Sequence, residues 1–187
     1  KASENLILQA NLPSGDTLTT AAQTANVKIF DALGARHDLA MNFTRIAIDP
    51  ATWTLDITCA DGSIEIDGTS PAMNYSINIV FDGQGRPISY NGSTTPPTIY
   101  CNWDRSITNA DPTVLNLDLG KINTTEGLTC RAGVFTPSST QDGREFGTYR
   151  NVSIDELENV SAVYSNGQTL IIARVVLANF AAPDQLE

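Results

Sequence analysis

Alternation of apolar and polar residues is the main pattern in this chain. It is clearest over residues 26–43, where two alternating runs flank the sequence Asp31-Ala32-Leu33-Gly34. The apolar residues that would face a core are Val27, Ile29, Leu39, Met41 and Phe43. An Asp at the first position can cap a turn, and Gly suits the fourth position of a type I turn. This stretch therefore predicts a β-hairpin.

Other short runs with strand character recur along the chain, with turn signals between them. They cover residues 6–12, 53–59, 63–67, 75–81, 87–90, 98–103, 114–119, 148–154, 160–164 and 169–179. Residues 17–25 are small and polar and predict a loop or irregular edge. Residues 122–141 are polar and interrupted by Gly and Pro. No segment shows an apolar period of 3.6 residues with a cap at each end, so the pattern predicts an all-β sandwich or barrel.

A second domain is predicted near the end of the chain. Residues 138–143, with the sequence SSTQDG, form the best candidate linker. The strands predicted after it include a hairpin around Asn166-Gly167, a strong turn signal. The last strand, residues 169–179, is apolar on both faces, which predicts a central or covered strand. We therefore predict an antiparallel barrel- or sandwich-like domain over residues 1–141, followed by a partial β domain over residues 142–187.

The charge of the chain argues against two classes of partner. The 187 residues carry a net charge of -10, and 41% of them are hydrophobic. Phosphate backbones and anionic lipid surfaces would repel such a chain, so we expect neither nucleic-acid nor membrane binding. The longest apolar run, residues 170–178, is interrupted by Arg174 and is too short to span a bilayer. The first residues lack the apolar segment of a signal peptide, so we expect a trimmed chain or export without a cleaved signal.

Candidate catalytic and metal-binding residues are few. His37 is the single histidine, and no G-x-S-x-G motif accompanies it. On a strand, the neighbouring Asp38 would point to the opposite face, so we expect His37 to bond the turn backbone instead. The acidic turns at Asp61 and Asp82 do not fit the EF-hand spacing. The sequence thus predicts no catalytic residue, no metal ligand, no cofactor site and no enzymatic activity.

The three cysteines show no C-x-x-C spacing, which argues against a structural zinc site. Cys59 falls on the same face of its predicted strand as Trp53 and Leu55, so we expect a buried thiol. Cys101 and Cys130 could form a disulfide in an oxidising compartment, or remain reduced. The sequence leaves that choice open.

Three ordered stretches resemble the bacterial flagellar hook protein family. The sequence FDALGARHDL, residues 30–39, is similar to a hairpin connection in which an aromatic residue and Asp-x-x-Gly precede His-x-Leu. The matching residues are Phe30, Asp31, Gly34, His37 and Leu39. Asn11-Leu12 with the following Pro-Ser-Gly resembles the opening segment of the family. Residues 147–180, which include Tyr-Ser-Asn-Gly-Gln, resemble its closing segment.

The resemblance implies a structural role. Hook subunits are exported through the channel of the flagellum and polymerise into a curved, flexible tube, a universal joint that transmits torque from the motor to the filament. Residues 1–141 would form the outer, surface-exposed domain, and residues 142–187 the C-terminal part of the middle domain. The implied partners are other hook subunits and the hook cap, rod and hook–filament junction proteins. The implied location is extracellular, in the flagellar hook.

The alternative is a secreted β-sandwich binding or adhesin module without catalysis. Such a module would need an exposed aromatic platform, for which Tyr90, Tyr100 and Trp103 are the candidates. In a β protein these residues more often belong to the core. A hydrolase is the least supported class, because no catalytic constellation can be selected.

Overall fold

The computed structural model of the protein describes residues 1–66 and 76–175. The chain forms two compact units, Lys1–Glu145 and Phe146–Glu187. The described residues form strands, turns and loops, which confirms the predicted all-β class. Within these residues, no helix has the length and apolar character needed to cross a membrane.

The first unit contains strands β1 to β11 and the second contains β12 to β14. The strands of the first unit are β1 Asn5–Pro13, β2 Gln23–Phe30, β3 Arg36–Ala47, β4 Thr52–Cys59, β5 Gly62–Ile66, β6 Ser76–Phe81, β7 Pro87–Tyr90, β8 Thr98–Trp103, β9 Thr113–Asp118, β10 Leu128–Arg131 and β11 Ser138–Gln141. The strands of the second unit are β12 Tyr149–Ile154, β13 Asn159–Tyr164 and β14 Thr169–Arg174.

The predicted hairpin begins a five-stranded antiparallel sheet of order β2-β3-β4-β6-β7. Val27 pairs with Leu39, and Ile29 pairs with His37. At the turn, the Gly34 amide donates to the Asp31 carbonyl at 3.0 Å. Gly34 has a φ of 79°, a left-handed conformation that glycine adopts without strain. The hairpin prediction is confirmed.

A second sheet of the first unit has the order β10-β1-β9-β8-β5, and β11 also pairs with β1. β1 runs parallel to β9 and β10 and antiparallel to β11. This sheet is therefore mixed, whereas the sequence predicted antiparallel pairing. The two sheets contribute to one hydrophobic core. Its largest fully buried side chains include Trp53, Tyr90, Phe43 and Phe81, and each such side chain contributes roughly 1.5–3 kcal/mol through burial.

The first unit has strands where the sequence pattern is weak. β2 starts at Gln23, in the last part of the stretch predicted as a loop or irregular edge, and β10 lies in the polar stretch interrupted by Gly and Pro. The predicted linker at residues 138–143 instead includes β11, which pairs with Leu6–Gln9 of β1. The side chains of β11 are exposed or half-buried. Small hydroxyl side chains are therefore compatible with both a linker and an outer strand, and local composition does not separate the two.

The second unit is a three-stranded antiparallel sheet of order β12-β13-β14. The predicted turn at Asn166-Gly167 joins β13 to β14, and the Gly167 amide donates to the Tyr164 carbonyl at 3.1 Å. β14 lies at the edge of this sheet, and its side chains are exposed. Within the described residues, Thr169–Arg174 is thus an edge strand, and these residues do not supply the cover that its two apolar faces predicted. Residues 176–179 lie outside the described residues.

Candidate functional site

His37 lies at the centre of a buried polar cluster in the first unit. Its side chain is 3% exposed. The ring atom Nε2 is 3.2 Å from Oδ2 of Asp31, and Nδ1 is 3.2 Å from Oδ2 of Asp61. Asp31 belongs to the turn before β3, and Asp61 belongs to the turn after β4. The two carboxylates therefore hold the imidazole from opposite sides.

Asp31 joins this cluster to the hairpin turn. Its Oδ1 accepts hydrogen bonds from the amides of Leu33 and Ala35, both at 2.8 Å. Its Oδ2 also accepts from Oγ1 of Thr108 at 3.2 Å. Burial raises the pKa of Asp31, but the hydrogen bonds from His37, Ala35, Thr108 and Leu33 outweigh it and lower the pKa below its usual value. Asp31 is thus a fully buried carboxylate that is ionised at neutral pH.

Trp103 covers one face of the imidazole. The two ring centroids are 3.8 Å apart, with an angle of 16° between the ring planes. The indole Nε1 of Trp103 donates to Oγ1 of Thr113 at 3.1 Å, which fixes the orientation of the ring. His37 lies on β3 in the five-stranded sheet, and Trp103 lies on β8 in the mixed sheet. Their stacking joins the two sheets.

The arrangement around His37 differs from that of a catalytic base. Both ring nitrogens lie within hydrogen-bond distance of carboxylate oxygens, so neither of them faces a nucleophile. The expectation that His37 bonds the turn backbone is wrong. The side chain of His37 faces inward and contacts the Asp31 carboxylate. That carboxylate, and not His37, accepts the hydrogen bonds from the turn amides.

Arg45 forms a second polar contact between distant segments. It lies on the same inward face of β3 as His37 and is 7% exposed. Its Nη1 donates to the carbonyls of Ser14 at 2.6 Å and Asp16 at 2.8 Å. Its Nε donates to the carbonyl of Ala47 at 3.3 Å. Sequence reasoning missed this contact. Arg45 is two residues after Phe43 on the same strand, so it falls on the inward face, and a charged residue there was a signal for a buried polar contact.

Asp142 connects the two ends of the first unit. Its Oδ1 accepts from the amides of Glu4 at 2.8 Å and Asn5 at 3.0 Å. Its Oδ2 accepts from Nζ of Lys1 at 2.9 Å. The two backbone hydrogen bonds, followed by the one from Lys1, lower the pKa of Asp142 far below its usual value. The Arg144 amide donates to the carbonyl of Lys1. We call Lys1, Glu4, Asn5, Asp142 and Arg144 the end clasp; no local sequence signal identified it.

The other acidic candidate, Asp82, caps its own turn. Its Oδ1 accepts from the amides of Gln84 at 2.9 Å and Arg86 at 2.8 Å, and Oδ2 accepts from Nε of Arg86 at 2.8 Å. Asp67, which follows the acidic turn at Asp61 in the sequence, lies outside the described residues. Across residues 1–66 and 76–175, no three His, Cys, Asp or Glu side chains are grouped to hold a metal ion.

The cysteines are free thiols. Cys101 and Cys130 are both buried and both free, so the disulfide that the sequence left open is not formed. Cys59 packs against the core, but it is only half-buried, because it lies at the end of β4. The prediction that it is buried is wrong in this respect. Burial, followed by the nearby Cys59, raises the pKa of Cys101 to about 12.

The candidate aromatic platform of a binding module is not exposed. Tyr90 is fully buried, and its hydroxyl donates to the carbonyls of Leu119 at 3.2 Å and Gly120 at 3.0 Å. Trp103 is buried against His37, and Tyr100 is half-buried. These three side chains therefore form no flat aromatic surface for a sugar ring.

Comparison with known proteins identifies the family. The sequence model of the flagellar basal body protein FlaE D2 domain matches residues 4–155. The chain belongs to this family. Its similarity to flagellar hook proteins confirms the resemblance that the sequence motifs indicated.

Several curated relatives carry the name flagellar hook protein FlgE. The Treponema pallidum protein is 28% identical over 189 residues, which cover 88% of this chain and 40% of the relative. The Helicobacter pylori protein is 27% identical over 172 residues, which cover 90% and 23%. The Brucella abortus protein is 26% identical over 183 residues, which cover 94% and 39%. The chain thus spans between 23% and 40% of the length of these relatives.

A solved structure, the Helicobacter pylori flagellar hook protein FlgE2, also aligns with this chain. It is 15% identical with a TM-score of 0.45, and the alignment covers 82% of this chain and 32% of that one.

Proposed function

We propose that this chain is part of a structural subunit of the bacterial flagellar hook. In this proposal, the whole subunit polymerises into the flexible, curved tube that transmits torque from the motor to the filament. The observation that carries the proposal is the match of residues 4–155 to a flagellar family, together with relatives named as hook proteins. The chain itself would contribute surface domains rather than a catalytic site.

The end clasp supports a domain that is inserted into a longer subunit. The Arg144 amide donates to the Lys1 carbonyl at 2.8 Å, so the chain enters and leaves the first unit at one place. We assign residues 1–141 to an outer domain of the hook subunit and residues 142–187 to part of its middle domain. The boundary between the two compact units, at Glu145, lies close to the proposed domain boundary.

The exposed apolar side chains of the second unit support the proposal that further parts of the subunit cover this unit. Its exposed apolar side chains include Ile154, Leu170, Ile171 and Ile172, which are 55% to 66% exposed. A three-stranded sheet with this much exposed apolar surface gains stability when another segment packs on it. We assign that role to the parts of the hook subunit that this chain does not contain.

The proposed partners follow from the proposed assembly. Other hook subunits are the main partner, and the cap, rod and hook–filament junction proteins contact the subunits at either end of the tube, outside the cell. The contacts around His37 support a role without catalysis, since its two nitrogens face Asp31 and Asp61. The net charge of -10 supports a role without nucleic acid. The adhesin alternative lacks support, because Tyr90 and Trp103 are buried.

Immunogold electron microscopy tests the proposal in the source bacterium. Antibodies against the first unit should label hooks of wild-type cells along their outer surface. Deletion of the gene should remove hooks and swimming, and expression of the full-length subunit should restore both. Intact hooks in the deletion strain, or labelling confined to another surface structure, would contradict the proposal.

A further inference from the structure

Two turns of the chain contain the same dipeptide, an asparagine followed by a glycine. Asn91-Gly92 follows β7 in the first unit, and Asn166-Gly167 joins β13 to β14 in the second. An asparagine side chain before glycine can react with the main chain, because glycine has no side chain that shields its amide nitrogen. The two turns hold their asparagines differently, so the two sites should differ in this reaction.

The side-chain carbonyl of Asn166 lies over its own turn. Its Oδ1 accepts a hydrogen bond from the amide of Gln168 at 3.1 Å. The main chain of Gly147 lies so close that a Cβ added there would be 2.6 Å from Cγ of Asn166. The left-handed residue of this turn is Gly167, with a φ of 79°, rather than Asn166. These contacts keep the side chain of Asn166 beside the peptide that links it to Gly167.

The side chain of Asn91 is instead bound to a neighbouring strand. Its Oδ1 accepts from the amide of Asn78 at 2.7 Å, and its Nδ2 donates to the carbonyl of Ser76 at 3.4 Å. Its φ of 49° lies in the left-handed region, where ψ is about +47°. A ring that joins Cγ to the next nitrogen requires Cβ and that nitrogen to be eclipsed about the Cα–C bond, which an L residue reaches at negative ψ. Asn91 is therefore held away from the nitrogen of Gly92.

We propose that Asn166 is a site of spontaneous deamidation and that Asn91 is protected from it. The Gly167 nitrogen attacks Cγ of Asn166, and its proton passes through the solvent to the leaving amide group. The hydrogen bond from Gln168 stabilises the negative charge that forms on Oδ1. The Cγ–Nδ2 bond breaks, ammonia leaves, and a cyclic succinimide remains. Water opens this ring at either carbonyl and gives aspartate or isoaspartate, so one water is consumed for each ammonia released.

The products change the turn in two ways. Both carry a negative charge that asparagine lacks, and isoaspartate also lengthens the main chain by one carbon. The turn is closed by bonds from the Gly167 amide to the Tyr164 carbonyl at 3.1 Å and from the Tyr164 amide to the Gln168 carbonyl at 2.8 Å. The first of these opens during the attack, since it uses the proton of the attacking nitrogen. Isoaspartate therefore loosens the hairpin of β13 and β14. The reaction needs only water, so it does not depend on the proposed function.

Peptide mapping of the purified full-length subunit tests this proposal. The subunit is incubated at neutral pH, either folded or in urea, and samples are digested at intervals. Mass spectrometry measures the conversion of an amide to a carboxyl group in the peptides that contain Asn91 and Asn166. Chromatography separates the aspartyl from the isoaspartyl products. The variant N166Q is the control, because a glutamine would have to close a larger and less favourable ring.

In the folded subunit, we expect conversion at Asn166 to be several-fold faster than at Asn91, with both aspartate and isoaspartate as products. In urea the two rates should become similar, because both sites keep their glycine but lose their turns. N166Q should lose the signal of its own peptide and keep the rate at Asn91. Equal rates in the folded subunit, faster conversion at Asn91, or an unmodified Asn166 after a time in which the urea-treated subunit reacts would each overturn the proposal.

Discussion

His37 and Trp103 stack with their ring centroids 3.8 Å apart, and this contact joins the two sheets of the first unit. The two residues are far apart in sequence and lie on β3 and β8. The imidazole is also held between the carboxylates of Asp31 and Asp61. A residue that would suggest catalysis from its type alone is thus one of the connections on which the fold depends.

Replacement of His37 with Phe should destabilise the first unit by about 3 kcal/mol, because it leaves the buried Asp31 carboxylate without its basic partner. The phenyl ring can still cover Trp103, so the loss reports mainly on the polar contacts. Unfolding in urea, followed by tryptophan fluorescence, measures the change. Both tryptophans, Trp53 and Trp103, belong to the first unit, so the signal reports on that unit.

The double variant H37F/D31N provides the control for this prediction. Asn at position 31 can still accept hydrogen bonds from the amides of Leu33 and Ala35, but it carries no charge. We therefore expect the double variant to be less destabilised than the sum of the two single variants. Strict additivity would show that His37 and Asp31 are not energetically coupled.

Arg45 should stabilise the first unit through its hydrogen bonds to main-chain carbonyls. The variant R45M keeps much of the apolar stem but leaves the carbonyls of Ser14 and Asp16 without this donor. We expect a loss of about 2 kcal/mol in the free energy of unfolding, the usual net contribution of hydrogen bonds that involve a charged group. The variant R45K retains a donor and should lose less. Equal stability of R45M and the wild type would contradict this interpretation.

Local sequence patterns predicted most strands but few of the contacts between them. The hairpin of β2 and β3 was predictable because the alternation of residues 26–43 and the turn at Asp31 are local signals. Arg45 and His37 were in phase with the apolar residues of β3, so their inward position could have been inferred. Their partners could not, because Thr108, Trp103 and Ser14 come from distant segments that the folded topology brings together.

The missed strands have a related cause. β11 consists of Ser138, Ser139, Thr140 and Gln141, which lack the apolar alternation of a strand. It is a strand because β1 offers a free edge next to it, and this pairing joins residues that are far apart in sequence. The end clasp has the same cause, because the pairing of β11 with β1 places Asp142 beside Glu4 and Asn5.

Asp142 should make the first unit sensitive to acid. Its pKa is lower in the folded chain than in the unfolded chain, so the ionised carboxylate contributes stability above about pH 4, the usual pKa of Asp. This contribution is lost as the pH falls further, towards the lowered pKa of the folded state. Thermal unfolding should therefore show a lower Tm for D142N than for the wild type at pH 7. The difference in Tm between the two proteins should become smaller as the pH is lowered. The exposed Asp111 supplies the control, and a D111N variant that behaves like D142N would contradict the prediction.

The thiols should differ in their reactivity in the native protein. Burial raises the pKa of all three thiols, that of Cys101 to about 12, so few thiolates are present at neutral pH and access of the reagent decides which thiol reacts first. Cys59 is half-buried and should be the first thiol that a small alkylating reagent modifies. Mass spectrometry should find one modified cysteine in the native protein and three in urea, while C59S should remain unmodified until it unfolds. Modification of Cys101 or Cys130 in native C59S, at the rate of Cys59 in the wild type, would contradict the burial of these two thiols.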